Sequence, residues 1–226
     1  MNAAFIDLLR DNATHASEFN SRFDDVQDSQ RPEVVSVCCS DSRVLQDHMW
    51  GNDQPGRVFT ASNIGNRAIQ RSGGREFVPG DVLYPIAHTG TETAVVTGHT
   101  GCGAVTATYQ ALTGDLSEPP GIEHCLDLLK PHLEPGVAAL PDGLAAEAAV
   151  NRLVEYNVDR QVEFLLESDT VPDSVEVFGV VYDFQDIYSG ERGEVHVINV
   201  DGETDIETLR KANTEVASRI ERLWEY

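Results

Sequence analysis

Short runs of apolar residues alternate along the chain with stretches whose apolar positions recur every three or four residues. The runs fall at residues 34–38, 58–61, 94–98, 175–181 and 195–200 and predict β-strands. The periodic stretches at 3–19, 103–112 and 144–167 predict helices, and in the last of them Val150, Val154, Val158 and Val162 make a stripe that one buried face would use. Residues 205–224 also read as a helix. Strand and helix signals in alternation imply an α/β fold with a mostly parallel central sheet of about four strands, flanked by helices and preceded by an N-terminal helical arm over residues 1–29. The last two strands bracket the turn-rich Ser189-Gly190-Glu191-Arg192-Gly193, so they are expected to form a hairpin that adds an antiparallel edge strand.

One stretch interrupts the pattern. Residues 114–143 contain Pro119, Pro120, Pro131, Pro135 and Pro141, and are expected to make a surface excursion with a short helix near 124–129. The sheet pattern resumes afterwards, which argues for a single domain over residues 1–226. There is no internal repeat, no low-complexity tract, and neither a GxGxxG nor a Walker motif to support a nucleotide site.

Charge narrows the function. With 38 Asp and Glu against 16 Lys and Arg, the formal net charge is -22. Cations this scarce and scattered exclude binding to a nucleic-acid backbone as the main task, and disfavour an anionic membrane surface. The only lysines are Lys130 and Lys211. An acid surplus with so little lysine is the surface expected of a protein kept soluble in concentrated salt, where the self-repulsion is screened. No segment approaches the roughly 20 apolar residues of a membrane span, and Asp7, Arg10 and Asp11 stand where a signal peptide needs an apolar run. A cytoplasmic protein is expected. Its 4 cysteines are too few for a disulfide scaffold, and in a reducing compartment they point to metal binding or catalysis.

Two clusters carry the chemistry. Cys38-Cys39-Ser40-Asp41-Ser42-Arg43 leaves the first predicted strand and Gly98-His99-Thr100-Gly101-Cys102-Gly103 leaves the third, both at carboxyl ends, where open α/β sheets place their sites. Cys39, His99 and Cys102 offer two thiolates and an imidazole, the donors that suit Zn²⁺, and three protein ligands leave a fourth position open for catalysis. Cys38 should point to the opposite face of the sheet from Cys39, and Cys125 lies in the proline-rich stretch; both read as inert thiols. Asp41 and Arg43, two residues apart in an extended turn, can form a bidentate pair that keeps the carboxylate ionised beside the metal. On an open surface the same pair would be worth under about 1 kcal/mol.

These two boxes resemble those of the β-class carbonic anhydrases. The likeness extends to Pro55-Gly56, Phe59 and Asn63-Ile64-Gly65-Asn66, and to Gly179 with Tyr182-Asp183 in a late strand, so that it runs from about Gln30 to about Val200. The resemblance implies a carbon–oxygen lyase that reversibly hydrates CO₂ to bicarbonate and a proton, using hydroxide made available by zinc. It implies zinc ligands Cys39, His99 and Cys102 and a catalytic dyad of Asp41 and Arg43. It further implies a substrate pocket walled by Phe59, Ile64 and Tyr84, bounded at the second box by Gly103, and reached by Gln30 across a subunit interface. A homodimer or larger assembly follows, with the N-terminal helix lying over the partner. His48 and His88 are candidates for passing the proton to solvent.

The chain also departs from the family. Ser62 stands where many members have Arg before the first Asn of the Asn-x-x-Asn box, and Ser36 where members with an inhibitory bicarbonate site have Trp. Lacking both anchors, this chain is expected to have no such switch, and its metal to carry water rather than Asp41 at neutral pH. Two rival readings are hydrolysis of a CO₂ analogue such as carbonyl sulfide on the same scaffold, and a purely structural zinc in a non-catalytic protein.

Overall fold

The computed structural model describes residues 2–17 and 21–226. Five strands build the main sheet: β1 (Val34–Cys39), β2 (Val58–Asn63), β5 (Thr93–His99), β6 (Glu176–Asp183) and β7 (Glu194–Val200), in the order β2-β1-β5-β6-β7. The first four in that order run parallel, and β7 is an antiparallel edge strand paired with β6. The expected α/β fold is therefore observed, with every predicted strand within a few residues of its place. A separate two-stranded ribbon, β3 (Gln70–Ser72) with β4 (Arg75–Phe77), had no signal in the pattern.

The helices are α1 (Ala3–Ser17), α2 (Gln46–Met49), α3 (Gly80–Thr89), α4 (Gly103–Thr113), α5 (Pro120–Ala139), α6 (Ala146–Leu166) and α7 (Ile206–Ala212). The expected end of the first helix, at residue 19, lies outside the described residues. The valine stripe of α6 is buried throughout and packs across β5 and β6. Gly98 shows how close that approach is, since a Cβ there would lie 2.7 Å from Val158 Cγ2 and 2.9 Å from Val154 Cγ1. A glycine at the end of β5 thus lets the strand sit directly on α6, just before His99.

Two expectations need correction. The stretch 114–143 is not a surface excursion with a short helix: α5 runs for 20 residues and buries Leu126, Leu128, Leu129 and Leu133. Pro120 occupies the first turn, where a missing N–H costs nothing, and the leucines have enough apolar area to hold the helix against α4 and α6 despite Pro131 and Pro135 inside it. The C-terminal stretch is not one helix either. It divides into α7 and a 3-10 segment (Thr214–Arg219), after which Leu223, Trp224 and Tyr226 fold back onto α6.

That return is held by buried charge. Arg222 pairs with Asp159 at 2.8 Å, both almost wholly buried, and the Tyr226 hydroxyl also donates to Asp159. Next to them Glu155, 0% exposed, accepts from the Tyr188 hydroxyl (2.8 Å) and the Leu223 N–H (2.7 Å). Burial pushes the Glu155 carboxyl up to about 7. Because its folded value lies above its unfolded one, the contribution of Glu155 to stability is fully present below the unfolded value of about 4.5 and is lost as pH rises through 7. Glu155→Gln, which stays neutral, should therefore gain on the wild type between pH 5 and pH 8. Denaturant midpoints at the two pH values measure that gain, and an equal difference at both would show that Glu155 is not the titrating group.

Candidate metal centre

The register of β1 on β5 assembles the centre. Cys38 pairs with Thr97, so Cys39 emerges level with the end of β5, where His99 follows Gly98. Cys102 comes back to the same point as the N-cap of α4, after a turn at Gly101. Among the described residues, Cys39, His99 and Cys102 form a group whose ligand atoms all lie within 4.8 Å of one another, and all three are buried. The two sulfurs are 3.8 Å apart.

The group fits a metal ion on grounds of its own chemistry. His99 Nδ1 lies 3.0 Å from the Thr100 carbonyl, which fixes the proton on that nitrogen and leaves the lone pair on Nε2. Nε2 is buried with no hydrogen-bond partner, an orphan acceptor aimed into the cluster. The cysteines act as one unit. The Cys102 thiol donates to Cys39 and lowers it, whereas that same bond and burial raise Cys102. Ionising both sulfurs at this spacing therefore calls for a cation between them. The N–H groups of Ala104 and Val105 at the start of α4 already favour the second thiolate. Two sulfurs and an imidazole suit zinc, with one tetrahedral position to spare.

Asp41 and Arg43 make the expected fork. Arg43 Nε donates to Asp41 Oδ1 at 2.9 Å and Nη2 to Oδ2 at 2.6 Å, while the Arg43 backbone N–H also donates to Oδ1 at 2.9 Å. These bonds hold the carboxyl at about 2, so Asp41 is an anion throughout the neutral range. Its Oδ2 lies 3.7 Å from His99 Nε2, which puts the carboxylate at the edge of the cluster.

The remaining expected residues are only partly brought together. Phe59 and Tyr84 meet with ring centroids 6.1 Å apart, and His88 lies beside Tyr84 at 5.3 Å. Tyr84 and Ile64 are exposed, as is Gly103 at the first turn of α4, so one chain forms an open wall rather than a closed pocket. Gln30 is exposed in the segment before β1. His48 lines a separate cleft of about 420 Å³ with Asp47 and Asn52. Cys38 is fully buried, and burial beside the Cys39 charge pushes its thiol up to about 12, in keeping with an inert role. Cys125 sits on α5, 3.7 Å from an Arg67 nitrogen.

The sequence reading missed Phe184, Asn151, Asn157 and Gln161. Phe184 stacks on His99 with centroids 5.7 Å apart and carries the Arg43 guanidinium 4.7 Å above its ring, so one side chain braces His99 and the Asp41–Arg43 pair together. Asp183 forms the turn that aims it, accepting from the N–H groups of Gln185, Ile187 and Tyr188. Asn151 of α6 accepts from the Gly101 N–H at 2.9 Å, which pins the turn between His99 and Cys102. Asn157 and Gln161 flank the valine stripe at helical spacing, the signal that could have marked them as lying at the edge of a buried face.

The Carbonic anhydrase family model matches residues 34–195. The Helicobacter pylori (strain J99) "Carbonic anhydrase" is 30% identical over 103 residues, 45% of this chain and 46% of the relative, so the match spans about half the length of that protein. The Emericella nidulans "Carbonic anhydrase" is 30% identical over 183 residues, 79% of this chain and 75% of the relative. Among solved structures, a tetrameric β-carbonic anhydrase from Sordaria macrospora superposes with a TM-score of 0.70 at 22% identity, covering 88% of this chain and 98% of that one; this similarity concerns the fold.

The geometry predicts how single changes affect metal content. Cys39→Ala, His99→Ala and Cys102→Ala should each lose stoichiometric metal, whereas Asp41→Asn should keep it. Metal analysis of the purified variants checks this, and full metal content in Cys102→Ala would contradict it.

Proposed function

The chain belongs to the β class of the carbonic anhydrase family, and on that footing we propose that it is a zinc enzyme that converts CO₂ and water to bicarbonate and a proton, and the reverse. The observation that carries the reading is the buried Cys39, His99 and Cys102 group with the Arg43-held Asp41 carboxylate 3.7 Å from the orphan nitrogen of His99. Zinc held by those three residues lowers the pKa of water, so that a hydroxide nucleophile is available near neutral pH. The chain's own residues do the rest. Asp41, ionised and without a proton to give, accepts a hydrogen bond from the attacking hydroxyl and turns its lone pair toward the pocket. Phe59, Ile64 and Tyr84 offer an apolar wall that suits CO₂ better than water. Arg43 adds positive charge where bicarbonate develops. The formed Asp41–Arg43 pair, together with Ser36 and Ser62 in place of the two anchors of an inhibitory bicarbonate site, supports a metal that Asp41 does not occupy at neutral pH.

A second copy of the chain completes the pocket in this reading, with Gln30 donating its amide to substrate across the interface. Helix α1 buries no residue within its own chain and exposes Phe5, Leu8 and Leu9, a face suited to a partner subunit. The Sordaria macrospora protein is tetrameric, in line with such an assembly. Leu8→Glu should shift the protein toward monomer in light scattering and lower its turnover. A variant that keeps the wild-type mass would remove α1 from the interface.

Stopped-flow CO₂ hydration on protein of known zinc content tests the function. Asp41→Asn should lose most turnover while keeping zinc, and Cys102→Ala should lose both. Full hydration by a zinc-free protein, or sulfide release from carbonyl sulfide without CO₂ turnover, would overturn the assignment. The net charge of -22 sets a further arm of the same assay. Its field repels bicarbonate in dilute buffer, so turnover should rise from about 0.1 M to multimolar KCl as the Debye length falls from about 10 Å to below about 3 Å; a maximum at low ionic strength would contradict salt adaptation.

A further inference from the structure

The loop after β2 carries Ile64 to the pocket and Gly65 to a metal ligand. Gly65 follows β2, whose Asn63 pairs with Cys39, and its N–H favours negative charge on the Cys39 sulfur; the Gly65 carbonyl accepts from Asn157 Nδ2 at 3.1 Å. The same Nδ2 donates to Asn66 Oδ1 at 3.1 Å, and Asn157 Oδ1 accepts from Gln161 Nε2 at 3.2 Å. Gln161 Oε1 closes the set by accepting from the Ala68 N–H at 2.8 Å. Asn157 and Gln161 are both 0% exposed.

This network admits one arrangement. Turning the Asn157 amide by half a turn would set its oxygen against the Gly65 carbonyl and the Asn66 oxygen, acceptor facing acceptor. Turning Gln161 would set its NH₂ against the Ala68 N–H, donor facing donor. Away from water such mismatches cost about 1–3 kcal/mol each, so the amides have a fixed sense. The loop needs the restraint, because Gly65 and Asn66 both have positive φ, +83° and +43°. A side chain at Gly65 would also meet Leu129, with Cβ 2.5 Å from Cδ1. Such a turn persists when its surroundings over-determine it.

We infer that Asn157 and Gln161 are positioning residues for the metal centre: acting through the Gly65 peptide, they keep its N–H turned toward the Cys39 sulfur. An N–H on a ligand sulfur draws off electron density and fixes the sulfur's direction, two ways in which an outer group tunes a metal. Asn151 does a parallel service for the Gly101 turn, so α6 reaches both loops that deliver ligands. The inference rests on the metal-centre reading above.

The test uses Asn157→Asp, which keeps the shape but cannot donate to the Gly65 carbonyl, and Gln161→Met, which leaves Asn157 in place but unanchored. Val162→Ala on the same helix serves as a packing control. Zinc affinity, by competition with a chelator, should fall roughly 10–100-fold in the first two variants. In the cobalt(II)-substituted proteins, the sulfur-to-metal charge-transfer band should move to lower energy as the sulfur regains electron density. Val162→Ala should lose stability and change neither readout. Wild-type affinity and band position in a folded Asn157→Asp would overturn the proposal; should that variant not fold, the same two readouts on Gln161→Met decide. If the wild type itself takes up neither zinc nor cobalt, the metal-centre reading fails first and this inference with it.

Discussion

The register of β1 against β5 is the constraint on which the rest depends. Side chains alternate across a strand, so the pairing of Cys38 with Thr97 decides that Cys39 reaches the cluster while Cys38 faces away. A slip by one residue would exchange the two cysteines and put an inert thiol where a ligand is needed. The register is held by burial, since Val35, Val37, Ala94 and Val96 are fully or almost fully buried in the middle of the sheet. It is held again at the strand ends by α6, which packs on Gly98 through valines and reaches around it through Asn151, Asn157 and Gln161. Core packing and the geometry of the Cys39, His99 and Cys102 group are one problem in this chain, and α6 solves both with adjacent faces.

Much of this was legible in the sequence because it is local. The strands announce themselves by short apolar runs, the valine stripe by its spacing, and the ligand boxes by residue type at strand ends. Asp41 and Arg43 are close enough in the chain for their pairing to follow from an extended turn. What was not legible is what depends on distant partners. Proline counted against a helix at 120–139, yet four buried leucines outweigh it, and their burial depends on α4 and α6. The tail from 205 has a helical pattern but ends by following the ion pair of Arg222 with Asp159 rather than its own periodicity. Phe184 carries no signal as a functional residue, since its role exists only where β6 brings it beside His99.

Electrostatics divides the molecule into two regimes. The sequence carries a large excess of acid, 38 Asp and Glu against 16 Lys and Arg. The centre is ordered the other way. Backbone N–H groups of Gly65, Ala104 and Val105 favour negative charge on the sulfurs, Arg43 meets Asp41, and a buried imidazole presents a bare lone pair. Each of these features stabilises negative charge where the three donors converge, or holds a group in the protonation state that metal binding would require. A scaffold without metal would have little use for three converging donors kept from water at a cost in desolvation.

The central claim is that strand register builds a centre of two sulfurs and one nitrogen for a zinc ion. X-ray absorption at the zinc edge of the purified protein tests it most directly. The account predicts two sulfur scatterers at about 2.3 Å and lighter atoms at about 2.0–2.1 Å, one of them an imidazole. A zinc site with one sulfur or none would contradict it.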